Sequence, residues 1–558
     1  MKRRAPPRKR RDEAPQPTPK RPKGRLVTVE DGVRLSESRL WDLQRAFFAR
    51  QDPGAWSRGP VPSYVTSNAF IARAAARVVG GFLDDVRAGR LGPIDPRAPI
   101  HALELGAGSG RFAYGVLRQL EAGAAADPRA EPRVRYVITD FDPAPVQALR
   151  QHERLRPFVK SGLLDFGVLD LEAPGPVTLL ESGEVLQPSA RGNPLAVLAN
   201  YVLDGVRTDA FEVRDGQLFE SRVRLRCPEG VNPRVPGSLR RLIVSFARAP
   251  LPESPFGDAE WDALLRDVAA QLPDSHFLFP ASALRLLRHL RGVGGGRLLL
   301  LAADRGHVHR EALEGIGEPQ VVRHGSVSLD VNFHVLAEHA RATGGAALLP
   351  AHHPTHLATV GLLWGCPRPD ASRTGAAYRE HYQAGGPEDL YLVKEAVERH
   401  AQRLDVEHGL AWLRLCAWDP EVFLACAPAF LERVDDAEDL ERPDLLGAAR
   451  RVREAYFPLR GDPDVHLALA ELMQALDALP EAAELCEESL RLHGRKPEAL
   501  HRLATCLVGL HRRPAARALL DEALALAPDF RDARVMRATL AADSRRRGAS
   551  QRGRKRKT

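Results

Sequence analysis

The chain has 558 residues, 44% of them hydrophobic and 27% charged, which suits a globular protein of two to four domains. No apolar run reaches the ~18 residues that a membrane span needs, and the six cysteines form no C-x-x-C pair. A membrane protein and a disulfide or zinc-finger framework are therefore not expected; the Arg/Ala/Gly/Pro bias suggests a GC-rich bacterial coding sequence and a cytoplasmic protein with reduced thiols. The net charge is +8: residues 1–25 carry +9, residues 544–558 a further +8, and the body between them −9. Residues 1–25 are expected to be a disordered basic tail without the apolar core of a secretory signal. Residues 26–99 read as a helical leading segment. Its first helix lies within Ser36–Arg50, with Leu40, Leu43, Phe47 and Phe48 on one face. A second runs from Ala69 to about Asp85, capped by Thr66 or Ser67.

Residues 100–385 read as an α/β domain. Ile100–Leu105 is a buried strand, followed by a turn containing Gly106, Gly108 and Gly110 and a helix from Arg111 to about Glu121. Gly123–Pro132 is expected to be a loop. Arg133–Asp140 is a second strand ending in an acid. Leu163–Leu169 leads to Asp170-Leu171, and Leu195–Asn200 leads to Tyr201. Residues 211–290 read as a strand pair followed by helices, and a late strand closes at Asp304. Four strand ends in this order place a ligand site at the carboxyl edge of a parallel sheet. Residues 386–459 are helical. Residues 460–543 form a repeat, with Pro480 and Pro514, Leu485 and Leu519, and Leu490 and Leu524 at one spacing, and this period of about 34 residues resembles tetratricopeptide repeats. Such repeats imply a protein substrate or partner. The basic tail at residues 544–558 is a weak, non-specific nucleic-acid contact or, the better reading, a solvated end like its N-terminal counterpart.

The glycine turn misses the dinucleotide fingerprint G-x-G-x-x-G, because Arg111 stands where the last glycine is needed. Its G-x-G-x-G spacing, with Glu104 two residues ahead, looks like motif I of class I S-adenosylmethionine-dependent methyltransferases. That resemblance implies S-adenosyl-L-methionine as cofactor and a Rossmann-like class I methyltransferase sheet. Glu104 would hold the ligand's ammonium group, and Gly106, Ala107, Gly108 and Gly110 would pass close to its carboxylate and ribose. Asp140 would take the ribose hydroxyls, with Phe141 beside it. Asp170 would bond the adenine amino group, with Leu171 against the ring, and Asn200 would face the transferred methyl.

Roughly residues 40–365 further resemble the MidA-like methyltransferase family, which includes the mitochondrial complex I assembly arginine methyltransferase. Tyr64–Asn68 is similar to that family's F-I-T-S-P motif, which implies Ser67 at the cofactor. Asn200–Asp204 with Phe211 is similar to its N-E-x-x-D-A-L-P-V-x-x-F segment. Asp304–His307 is similar to its D-Y-G-H/Y motif, and Asp330–Phe333 to its D-V-D-F. Asn200, Asp204, Asp304 and His307 are thus the candidates for orienting a substrate or moving a proton. Tyr201 replaces the family's glutamate and Asn332 its second aspartate. The expected function is methyl transfer to a protein side chain, arginine included; the alternative is an inactive cofactor-binding scaffold acting through its repeats. His352-His353-Pro354-Thr355-His356 reads as a loop of solvated histidines, and no metal site is expected.

Overall fold

The structure, a computed structural model, describes residues 25–49, 64–126, 133–323, 327–436 and 440–542. Both basic tails, apart from Arg25, fall outside that set. The chain divides into two compact units, Met1–Asp389 and Leu390–Thr558, a division that falls inside the helix Pro387–Glu398.

The first unit is built on seven strands: β1 (Ile100–Leu105), β2 (Val134–Asp140), β3 (Leu164–Val168), β4 (Leu195–Asn200), β5 (Leu298–Asp304), β6 (Gly345–Leu348) and β7 (Ala358–Trp364). Their spatial order is β3-β2-β1-β4-β5-β7-β6. Strands β1 to β5 pair in parallel, while β7 runs antiparallel to both β5 and β6. Every residue of β1, β5 and β7 is buried, as expected for strands covered on both faces; their sequences are mainly apolar, with His101 and Glu104 the polar exceptions in β1 and Asp304 ending β5. The order starts from β1 in both directions, so the chain reverses between β1 and β4, and the carboxyl ends of these strands open a crevice there.

The leading segment is not wholly helical. Leu26–Val33 is a strand that pairs with Gln217–Pro228 in a second, antiparallel sheet, together with Asp209–Arg214, Ile243–Pro250 and Ser275–Phe279. Residues 211–290 thus hold more strands than the expected pair. A hairpin turn at Asp215-Gly216, both with positive φ, joins two of them, as an Asp-Gly pair favours. Phe211, Phe277 and Phe279 of this sheet share one apolar core with Leu103, Val137, Val197 and Leu300 of the first.

Helices α1 (Arg39–Phe48) and α3 (Arg111–Ala126) border the crevice, and α2 (Ala69–Arg87) packs against α3. The cap of α2 is Asn68, whose side chain accepts from the Ile71 N–H at 2.9 Å, rather than Thr66 or Ser67. Helix α3 runs on to Ala126, past its expected end near Glu121, so the expected loop is shorter, and residues 127–132 lie outside the described set.

The second unit is helical throughout its described residues. Leu479–His493 and Arg513–Leu526 begin at the interval that separates Pro480 from Pro514, and Val465–Ala475 and Pro497–Gly509 end at the same interval. Asp477 and His511, again at that interval, both have φ of 61° in the turns between helices. The period is therefore present in the backbone as well as in the sequence. No described helix is long and apolar enough to cross a membrane.

Candidate functional site

The crevice encloses about 230 Å³ and is lined by Ser67, Glu104, Gly106, Ala107, Asp140, Phe141, Asp170, Leu171, Asn200 and Asp204, among others. The ends of four strands, far apart in sequence, meet at one cavity. Gly106, Gly108 and Gly110 all adopt left-handed backbone, with φ of 62°, 51° and 78°. A Cβ on Gly106 would also fall 2.8 Å from Val202 Cγ2, so only glycine fits that turn. The Ala107 N–H bonds the Thr139 carbonyl at 3.1 Å, and the Thr139 hydroxyl donates to the Glu104 carbonyl at 2.6 Å. These bonds tie the glycine turn to the end of β2. A larger hollow of about 1670 Å³, bordered by Arg87, Arg133 and Glu380, meets none of these strand-end residues.

Glu104 is buried, and the Tyr136 hydroxyl donates to its Oε2 at 2.7 Å. Burial pushes its carboxyl up to about 8; the Tyr136 bond opposes this, and the nearby Asp140 charge adds to it. Asp140 is raised to about 6, again mainly by burial, although backbone N–H groups of Asp142, Phe141 and Gly108 donate to it. Two neighbouring acids held partly neutral form a site that gains from an incoming positive charge.

Asp170 behaves differently. Arg45 on α1 grips it with two bonds, Nη1 to Oδ1 at 3.0 Å and Nη2 to Oδ2 at 2.7 Å. Burial alone would raise this carboxyl, but Arg45 and backbone donors hold it below its usual value. The same guanidinium lies 4.7 Å from the centre of the Phe141 ring. Arg207 fastens α1 in place, bonding Glu172 Oε2 at 2.9 Å, Asp42 Oδ1 at 2.6 Å and the Ser36 carbonyl at 2.9 Å. Trp41, Gln44, Arg45 and Phe48 of α1 all line the cavity, and none was expected there. Their spacing at i, i+3, i+4 and i+7 is a second helical face, masked in the sequence by the apolar one.

Of the four candidates for substrate work, two line the cavity and two do not. Asn200 and Asp204 do; Asp204 interacts with the Ser328 hydroxyl, and burial raises its carboxyl. Asp304 is fully buried behind the cavity. Its Oδ2 accepts the N–H groups of Leu203 and Asp204 at 2.9 and 3.0 Å, and its Oδ1 accepts that of Arg305 at 2.9 Å. It therefore shapes the turn after β4 rather than facing a substrate. Burial and the nearby Asp204 charge push its carboxyl well up. His307 borders a separate hollow of about 330 Å³, with its Nε2 3.7 Å from Asp330 Oδ2.

Tyr201 has φ of 53°, a strained conformation for a bulky residue, while its N–H still bonds the Ala303 carbonyl at 2.8 Å. Asn332 is not part of the cavity lining. Its Oδ1 caps the helix Phe333–Ala342 through the Val335 N–H at 3.2 Å, and its amide donates to the Leu278 carbonyl at 2.8 Å. A carboxylate cannot do both. Asn332→Asp is therefore expected to destabilise the protein by about 1–2 kcal/mol, read as a fall in melting temperature at pH 7.

The histidine run is a loop, as expected, but it is anchored. Buried Glu388 accepts the Thr355 and His356 N–H groups, both at 2.6 Å, and His352 Nε2 lies 3.2 Å from its other oxygen.

No protein-family model and no curated protein matches this chain. Two solved structures from Burkholderia thailandensis align with it. One, a "likely methyl transferase" bound to S-adenosyl-homocysteine, is 16% identical over 56% of this chain and 80% of that one, with a TM-score of 0.35. The other, an uncharacterized protein of the same superfamily, is 15% identical over 62% of this chain and 89% of that one, with a TM-score of 0.37. At these TM-scores the likeness assigns neither fold nor function to this chain.

Proposed function

We propose that the first unit is an S-adenosylmethionine-dependent methyltransferase. The observation that carries this reading is the meeting, in one cavity, of Glu104, the left-handed glycine turn, Asp140, Leu171 and Asn200 at four adjacent strand ends. The sheet is compatible with it: the antiparallel β7 between β5 and β6 departs from the 3-2-1-4-5-6 order of a dinucleotide-binding sheet, while the crevice at the β1/β4 reversal keeps the ligand position of such folds.

The residues present fit the cofactor. Glu104 and Asp140 supply acids where an ammonium and ribose hydroxyls need them, and the left-handed backbone at Gly106, Gly108 and Gly110 brings the turn to the cavity edge. When bound, the cofactor supplies an electrophilic methyl group. The protein's part is to align a nucleophile with it and exclude water, which Trp41, Phe48 and Val202 around the cavity serve to do. Asp204 is the carboxylate available to orient a cationic side chain or to accept a proton. The strained Tyr201 beside Asn200 favours retained activity over the scaffold reading, because such backbone persists where surrounding structure enforces it, commonly at functional sites.

The acceptor we favour is a protein side chain, arginine included. The repeated helix pairs support this, since they resemble tetratricopeptide repeats, whose surfaces bind protein. Incubating the full chain with methyl-labelled cofactor and a cell extract tests it. Label in protein bands, lost with Asp204→Asn, is the expected result; label only in small molecules would refute a protein acceptor.

Two further outcomes bear on the cofactor. A ligand ammonium demands an ionised Glu104, whereas the free carboxyl, at about 8, is mostly protonated at pH 7. Binding should therefore release close to one proton, and affinity should rise up to about tenfold from pH 6 to pH 7, flattening above pH 8. Calorimetry in buffers of different ionisation heat measures this. Arg45→Ala removes the competitor for Asp170, so adenosine should bind several-fold more tightly. Because the pair is partly exposed, stability should fall by no more than about 1 kcal/mol.

A further inference from the structure

A second cluster lies wholly within the helical unit. Asp464, His466 and His493 each present one donor atom, and these atoms lie within 4.8 Å of one another. Asp464 and His466 stand at the start of the helix Val465–Ala475, and His493 ends the next helix, Leu479–His493. His466 is 1% exposed and is braced edge-on by the Tyr456 ring, 4.9 Å away. Both of its ring nitrogens are buried without a hydrogen-bond partner, and so are His493 Nε2 and Glu488 Oε2. His466 Nε2 and Glu488 Oε2 face each other across 2.9 Å, but native proteins rarely leave two more such atoms, His466 Nδ1 and His493 Nε2, unsatisfied in one place.

The distance between His493 and Asp464 suits an ion better than a hydrogen bond. His493 Nε2 lies 3.7 Å from Asp464 Oδ1, too far for a hydrogen bond but near the ~3.3 Å edge of a tetrahedron of zinc bonds. Glu488 Oε2 lies 2.9 Å from His466 Nε2, close enough to pair with a protonated ring or to stand beside an ion, and His466 holds its carboxyl below the usual range. Asp464 is already aimed: its Oδ1 caps the helix through the Leu467 N–H at 3.0 Å, and its Oδ2 accepts the Ser489 hydroxyl at 2.6 Å. Each oxygen keeps a further lone pair.

We infer that Asp464, His466 and His493 form a binding site for a divalent transition ion of the zinc class, with the fourth position open to Glu488 or solvent. Two imidazoles with a carboxylate suit zinc, whereas magnesium and calcium prefer all-oxygen sets. The ion joins the start of one helix to the end of the next and so fixes the angle between the two helices of one repeat.

The test uses the full chain stripped of metal by a chelator and titrated with cobalt(II) alone, then with zinc. One cobalt per chain, with the intense visible absorption of a tetrahedral site and displacement by zinc, is the expected result. His493→Gln and His466→Gln should each weaken zinc binding at least tenfold, while His353→Gln in the surface loop leaves it unchanged. His493, at a helix end, carries the test if the deeply buried His466 variant fails to fold, provided that the metal-free melting of His493→Gln matches the parent. Absence of stoichiometric binding, or binding unaffected in His493→Gln, would overturn the site and leave a helix junction held by ordinary polar contacts.

Discussion

Replacing Asp304 by alanine is expected to cost about 3–5 kcal/mol of stability, because the side chain is fully buried and accepts three backbone N–H groups, from Leu203, Asp204 and Arg305. Each donor left without a partner costs about 1–3 kcal/mol, and part of the sum is offset because a buried carboxyl with a raised pKa is itself unfavourable. The loss should appear as a lower denaturation midpoint and as faster hydrogen exchange at the Leu203 and Asp204 amides. Asp204 lines the cavity, as do Val202, Gly205 and Val206 of the same turn after β4, so cofactor affinity should fall in parallel. Unchanged amide protection would mean that the turn is held by something other than Asp304.

The second large effect is on binding. Glu104→Gln should weaken S-adenosylhomocysteine by about 100-fold, since a neutral amide replaces the carboxylate that a buried ammonium needs. Glutamine is the cleaner substitution. It can keep the Tyr136 hydroxyl bond, and it mimics the protonated acid that dominates in the free protein at pH 7. The apo melting temperature should therefore stay put. Glu104→Ala would strand the Tyr136 hydroxyl in the core and mix a stability loss into the result.

Much of the first unit was legible because its central strands are covered on both faces. Ile100–Leu105, Leu195–Asn200 and Leu298–Asp304 read as mainly apolar strands, and the first two carry Glu104 and Asn200 of the crevice at their carboxyl ends. Leu26–Val33 was not legible. Its residues are only partly buried and its partner, Gln217–Pro228, lies far along the chain, so no local pattern announces it. The end of α3 moved for a local reason, since Ala122 and Ala124–Ala126 are good helix formers that outweigh Gly123.

At the site, residue type announced the strand-end acids but not their neighbours. Glu104 and Asp140 were legible because each ends a recognisable strand. The grip of Arg45 on Asp170 was not, since it depends on where α1 lies. Asp304 and His307 differ from Asn200 and Asp204 in where the fold places them. Their resemblance to a family motif suggested substrate work, whereas the fold uses Asp304 to satisfy backbone N–H groups and sets His307 beside another hollow. The zinc-class cluster escaped notice because its ligands are split across two helices, with most of both helices lying between His466 and His493 in the chain.

The most direct test of the central claim is calorimetric titration of the full chain with S-adenosylhomocysteine at pH 7, alongside Glu104→Gln. One molecule bound per chain at micromolar affinity, with proton release and a loss of about 100-fold in the variant, is the predicted result. A well-folded protein that gives no heat, or a variant that binds as tightly as the parent, would contradict it.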